Sequence, residues 1–424
     1  MTLRKLLIAA VLFLIPSSVY SQSAELLIRQ YQLQLIRSQN NALAWALLGY
    51  AFLQKARETG DPAWHDSART ALTCAYQVDS TDGRVNTYRA MSQAARHEFR
   101  QAIRSAQAAL QAKPNDAHTF GLIGDAYLEL GELDSMRRYY DRMESPGAPD
   151  VAALARRARL WGEVIGQTDS ARACLERAFA LAAAEKNREP ENLAWLCVMQ
   201  GEIELGEGNF SRADSFYQTA LAYLPDYPLA LEHTAEIQVI GKRFEKAIKL
   251  YRQAGALSGN PGLAILLGDA FEKAGWADSA NFYWDKGEAG YLRLLESGNN
   301  GYLRPLAEFY LARGKNLQKA LMLAKEDLTI RQDFGAYLTL GRAYLQMGKK
   351  RGALVAIAKA GSEAENDPQF CYYAGEIYLA NGNRGKAKEL FTKTHQLCPR
   401  FDLIFGTDLT AKLASLRKKV TAHN

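Results

Sequence analysis

Apolar and small residues return every three or four positions along most of this chain, and the runs that carry them come in pairs. Between Tyr337 and Ala360 the pattern reads Tyr337, Leu340, Gly341, Tyr344, Gly348, Ala353, Ile357, Ala360. Steps of three and four place side chains on one face of a helix. The stretch therefore predicts a helix that breaks at Gly348 and a second helix from about Lys350 to Ala360. The same order of small and large residues recurs 34 residues later as Cys371, Ala374, Gly375, Tyr378, Gly382, Ala387 and Phe391, closed by Pro399.

The frame extends back through the chain. One small position of the second helix falls at Ala68, Ala102, Met136, Ala171, Ala213, Ala247, Ala280, Ala320, Ala353 and Ala387, with most steps 33 to 35 residues. Two antiparallel helices approach closely only where side chains are small. This also accounts for Gly49, Gly124, Gly201, Gly268, Gly341 and Gly375. Tyr127, Tyr217, Tyr344 and Phe391 are large enough to fill the gaps between helices, and Pro114, Pro225 and Pro399 end second helices. The frame is weakest in the second, fourth and eighth units. In the fourth, Arg159 stands where other first helices carry a small residue.

A helix–turn–helix unit of about 34 residues with small residues at these offsets resembles the tetratricopeptide repeat. The resemblance covers residues 42–400. It implies an all-α, right-handed superhelical solenoid of about ten helix–turn–helix repeats with terminal capping helices. An amphipathic stretch from Ala24 to Ser38, with Leu26, Leu27, Tyr31, Leu35 and Ile36 in helical register, is the expected N-terminal cap within 22–41. A Lys- and Arg-rich helix over Leu409–Val420 is the expected C-terminal cap within 401–424.

The first 21 residues fall outside this frame. Arg4 and Lys5 precede an apolar run, Leu6–Ile15, then Pro16 and the small residues around Val19–Ser21. The run is too short to span a bilayer and has the layout of an export leader, with cleavage expected after Ser21; an uncleaved anchor is the alternative. Export to a bacterial periplasm or beyond the cell is the expected location. No later run is apolar enough for a membrane span. Removing Arg4 and Lys5 lowers the net charge from +6 to +4. The excess is spread without a long basic run, so nucleic acid is not an expected partner. Five cysteines in 424 residues are too few and too scattered for a disulfide framework. Cys371 and Cys398 lie at opposite ends of one repeat and are placed for one bond, or for two buried thiols.

Catalytic signatures are absent from the sequence: there is no Gly-x-Ser-x-Gly, no phosphate-binding Gly loop followed by Lys-Ser/Thr and no His-Glu-x-x-His. Glu232, His233 and Glu236 lie within one helical turn, and His395, Cys398 and Cys371 form a second weak cluster. Each lacks an evident further ligand, so no metal, cofactor or catalytic residue is expected. In arrays of the resembled family the first helices line the concave face and hold partner proteins. The position after the small residue of those helices holds Asp125, Glu202, Glu236, Asp269, Glu308 and Glu376, a carboxylate stripe interrupted by Arg156, Arg157 and Arg342. The resemblance thus implies a non-catalytic scaffold that takes a partner segment, of basic character if charge complementarity rules, in that groove. An envelope accessory of a secretion or polysaccharide-export machine, touching a membrane protein or glycan, is the alternative. Nothing in the sequence sets the oligomeric state.

Overall fold

An Asp or Asn side chain starts most first helices of this chain by accepting a backbone N–H that the helix itself cannot satisfy. Asn41 caps Ala44 at 3.0 Å, Asp116 caps Thr119 at 2.9 Å, Asp150 caps Ala153 at 2.7 Å, Asp333 caps Ala336 at 2.8 Å and Asp367 caps Phe370 at 2.7 Å. The opposite ends close on a left-handed residue, usually glycine. In two repeats His97 (φ 61°) and Lys242 (φ 58°) take this conformation despite their side chains.

The computed structural model of the chain describes residues 24–143, 150–185 and 188–418. The leader expected over 1–21 lies outside them. The described residues contain helices and turns and no strand. After α1 (Ala24–Arg37) the helices run in pairs: α2 (Ala42–Thr59) with α3 (Ala63–Val78), α4 (Gly83–Ala95) with α5 (Phe99–Ala112), α6 (Ala117–Leu130) with α7 (Leu133–Met143), and α8 (Val151–Arg159) with α9 (Thr168–Ala184). Next come α10 (Pro190–Glu207) with α11 (Phe210–Tyr223), α12 (Pro228–Ile240) with α13 (Phe244–Leu257), and α14 (Pro261–Lys273) with α15 (Ala277–Glu296). The last pairs are α16 (Leu303–Arg313) with α17 (Leu317–Ile330), α18 (Phe334–Gln346) with α19 (Lys350–Ile357), and α20 (Pro368–Ala380) with α21 (Arg384–Leu397). The chain closes with α22 (Phe401–Phe405) and α23 (Leu409–Lys418).

This is the all-α superhelical repeat solenoid that the resemblance implies. Every residue of the ladder from Ala68 to Ala387, Met136 included, is at most 3% exposed. The reason for the glycines is equally direct. A Cβ at Gly124, Gly201, Gly268 or Gly375 would run into the ring of Tyr140, Tyr217, Trp284 or Phe391, respectively. Three local expectations are corrected. On α1 the buried face is Leu27, Ile28, Tyr31 and Leu35, while Leu26 and Ile36 stand exposed, because the helix packs on α2 along one narrow stripe. The C-terminal cap is two helices, split at Gly406 (φ 63°). In the fourth repeat, α8 continues into a π-helical turn, Leu160–Ile165.

First helices of consecutive repeats touch one another (α2 with α4, α4 with α6, α6 with α8, α16 with α18), and they are the inner layer of the curve. Successive superhelical turns then stack. Ser258 Oγ donates to the carbonyl of Gly60 at 2.8 Å, Arg96 Nη2 to Ser297 at 3.2 Å, the Gln332 N–H to Leu130 at 3.2 Å and Asn366 Nδ2 to Val164 at 2.9 Å. The side-chain donors among these lie 198, 201 and 202 residues from their acceptors. Three of the acceptors, those of Gly60, Leu130 and Val164, belong to the ends of first helices, which have no partner within their own helix. The next turn of the superhelix supplies it.

Candidate functional site: the inner helices and the space between turns

The inner carboxylates do not form an open acidic stripe. Most are held by a cation about one repeat further along the chain. Asp125 and Arg156, each without exposed side-chain surface, pair at 2.8 Å, and the Tyr140 hydroxyl donates to the same carboxylate at 2.6 Å. Burial, together with that carboxylate, pushes the Tyr140 hydroxyl well above its ordinary range. Glu308 is buried, receives a hydrogen bond from Thr339 at 2.6 Å and pairs with Arg342. Arg342 lies 4.0 Å over the Tyr373 ring. Asp269 accepts from Trp284 Nε1 at 2.9 Å and pairs with Arg313, whose guanidinium lies against both Trp284 and Phe309. Glu376 pairs at 3.1 Å with Lys412 of the terminal helix α23. Arg156 and Arg342 therefore do not interrupt the stripe; they neutralise it. Arg157 is half-buried and faces away, its charge acting on Cys174 of α9.

The remaining two predicted residues converge on one imidazole. His233 lies 3.2 Å from Glu236 through Nδ1 and 3.4 Å from Glu202 through Nε2, with the Tyr217 ring stacked on it at 5.2 Å. Glu232, 7% exposed, adds a third carboxylate. Burial opposes a charged imidazole here, but the Glu236 hydrogen bond and the charges of Glu202, Glu236 and Glu232 overcome it and raise His233 to about 9. Burial, with Glu236 and Glu202 adding to it, raises Glu232 to about 7. A cavity of about 30 Å³ beside the cluster is lined by Tyr251, Leu266, Ile404 and Phe405, so the C-terminal α22 covers part of it. Among the described residues no group of His, Cys, Asp and Glu has an arrangement that would hold a metal ion, and none of the five cysteines forms a disulfide.

A larger cavity, about 300 Å³, opens between the superhelical turns. One wall is built by Glu129, Arg159, Trp195 and Met199 of the first turn; the other includes Arg304, Phe334 and Asn366 of the second. Arg159 was legible as an irregularity. Trp195 carried no such signal, because it becomes a cavity wall only when the fourth and fifth repeats curve under the ninth. The ion-pair partners had a signal in the sequence: a basic residue 31 to 34 positions after Asp125, Glu202 or Glu308.

Residues 89–151 and 198–261 match the family described as tetratricopeptide repeat. Solved structures add likenesses of fold. The pilus biogenesis factor PilW is 16% identical, with TM-score 0.40, over 49% of this chain and 92% of that one. A tetratricopeptide repeat protein from Parabacteroides merdae is 18% identical, with TM-score 0.38, over 63% and 98%. Yeast Tom70 is 12% identical, with TM-score 0.39, over 89% and 96%. A search of curated proteins finds no match.

Proposed function

Because this is a chain of tetratricopeptide repeats, we propose that it is a non-catalytic scaffold that holds a basic segment of a partner protein against the inner helices of its fifth to seventh repeats. The observation that carries this reading is the state of Glu202, Glu236 and Asp269. They sit on the successive first helices α10, α12 and α14 and keep 17%, 18% and 21% of their side-chain surface exposed. Three carboxyl groups, Glu202, Glu232 and Glu236, surround the His233 imidazole. An additional positive charge from a partner is favoured there, and more so in a partly dry groove than in water. The inner positions at Asp125, Arg156, Glu308 and Arg342 have a different task in this proposal: they set the curvature that brings the reachable carboxylates into line. The scaffold is pre-formed, so little ordering entropy is lost on the receptor side. In this proposal the scaffold works outside the cytoplasm, a location that the leader-like first 21 residues support.

The test is fluorescence anisotropy of Lys/Arg-rich, neutral and Glu-rich peptides of equal length on the full chain. The basic peptide should bind best, weaken as salt is raised and lose most of its affinity in the Glu202→Gln/Glu236→Gln double variant. Equal binding of all three peptides, or full retention by the variant, would remove the inner carboxylates from the reading.

A further inference from the structure

The fourth repeat departs from the helical pattern at one place. Counted from its N-cap Asp150, α8 carries Ala158 where α6, α14, α18 and α20 carry Gly124, Gly268, Gly341 and Gly375, and the large Arg159 follows one position later. Leu175 stands four residues after Ala171, where Tyr140, Tyr217, Tyr251, Trp284 and Phe391 place rings, while Leu72, Ala106, Ala324 and Ile357 do not. Between Arg159 and Leu175 runs the π-helical turn Leu160–Ile165, a rare distortion that recurs at functional sites. All three features border the cavity of about 300 Å³ between the superhelical turns, a size at the lower end of small-molecule pockets.

Two donors in its wall are unused. Arg159, 6% exposed, donates Nε to Glu163 at 3.0 Å and Nη2 to Glu129, but its Nη1 has no hydrogen-bond partner. Trp195, 2% exposed, has no partner for Nε1. A buried N–H without an acceptor is costly, and two residues of this cavity wall each carry one. The charge of the wall narrows the choice. Glu163, Glu202, Glu207, Asp333 and Glu363 outnumber Arg159 and Arg304, and Arg304 is already committed to Asp327 at 2.8 Å and Asp333 at 2.9 Å. A carboxylate or phosphate would meet net repulsion. Met199, Ile203 and Phe334 offer apolar surface on both sides.

We propose that this inter-turn cavity is a binding site for a small molecule with an apolar body and an uncharged carbonyl-type acceptor, the acceptor held between Arg159 Nη1 and Trp195 Nε1. The site shares Glu202 with the inner carboxylates proposed for a partner, but the contacts proposed here are to Arg159 and Trp195, so it stands whether or not that reading does. Because its walls come from two superhelical turns, occupancy ties the fourth and fifth repeats to the ninth and tenth.

The probes are benzamide and benzoate, which share a ring and differ in the charge of the acceptor. Both are titrated against the full chain, with binding read by ligand-observed NMR. Benzamide should bind, and benzoate should bind about tenfold more weakly or not at all. Leu175→Phe, which restores the ring that other repeats carry, should abolish the benzamide signal. Trp195→Phe should weaken benzamide by about tenfold while leaving the melting temperature unchanged or higher, since a buried unpaired donor is removed. Should Leu175→Phe fail to fold by circular dichroism, Trp195→Phe decides. Absence of benzamide binding to the wild type, tighter binding of benzoate, or undiminished binding in the folded variants would overturn the proposal and leave a cavity that only holds water.

Discussion

Asp125 and Arg156 show why a charge pattern is not a surface. Both are fully buried and paired, with Tyr140 completing the carboxylate's hydrogen bonds. Two ions taken out of water together are tolerable, whereas one left alone is not. Arg156→Met should therefore destabilise the chain by about 3 kcal/mol, and the double variant Asp125→Asn/Arg156→Met should recover most of that loss. Urea unfolding followed by circular dichroism measures both; a double variant no better than the single would mean that Arg156 acts by packing alone. The His233 cluster gives a pH dependence with a definite sign. Glu232 and His233 both bind protons more tightly folded than unfolded. Their contribution to stability is present at low pH and is lost as pH rises, for Glu232 between its unfolded value and about 7 and for His233 up to about 9. Glu232→Gln cannot titrate, so its stability, relative to wild type, should improve as pH rises to 7. Melting temperatures of both proteins across that window check it.

Four helix pairs close on a glycine-on-ring contact in which the glycine's missing Cβ is the point. Gly201 lies against the Tyr217 ring, which has no exposed surface. Gly201→Ala should cost about 1 to 3 kcal/mol, the range for overpacking a filled core. Gly275, in left-handed conformation with open space around it, offers a control. Gly275→Ala should cost about 1 kcal/mol, from backbone strain alone. Equal losses at the two sites would deny the close approach its part. The π-helical turn is the element that departs from the rule. It follows Arg159, one position after the small residue Ala158, and its Val164 carbonyl takes Asn366 Nδ2 as a donor from the next superhelical turn.

At the scale of the molecule, stacking changes what kind of solenoid this is. A repeat array normally couples each unit only to its neighbours, and its ends open first. Here the turn after α2 is tied to Ser258, and the turn after α8 to Asn366. The first repeat is therefore an end in sequence and an interior surface in space. Asn366→Ala with Ser258→Ala should loosen the stack, raising the radius of gyration in solution scattering and the amide exchange of residues 160–166. An unchanged scattering curve with unchanged exchange would show that shape alone, without these hydrogen bonds, keeps the turns together.

Helix pairs, their repeat length, the alanine ladder and the glycine positions were readable from the sequence, because each is set by side chains a few residues apart or by contact within one repeat. Arg159 was readable as an exception, but the extra residue of the π-helical turn puts Ala158 at the small position, and the place of Arg159 in a cavity wall was not legible. The sequence also marked Glu202, Glu236, Asp269 and Glu376 as inward-facing, and it listed Arg156 and Arg342 without showing that they cancel Asp125 and Glu308. The rest was decided by tertiary structure. The rotation from one repeat to the next is small, but summed over six repeats it sets the pitch of the superhelix. That pitch alone brings Leu130 to Gln332, His97 to Arg331 at 3.0 Å and Trp195 to the space beneath Phe334. No local pattern records a sum, so contacts some 200 residues apart become visible only when the chain has closed on itself.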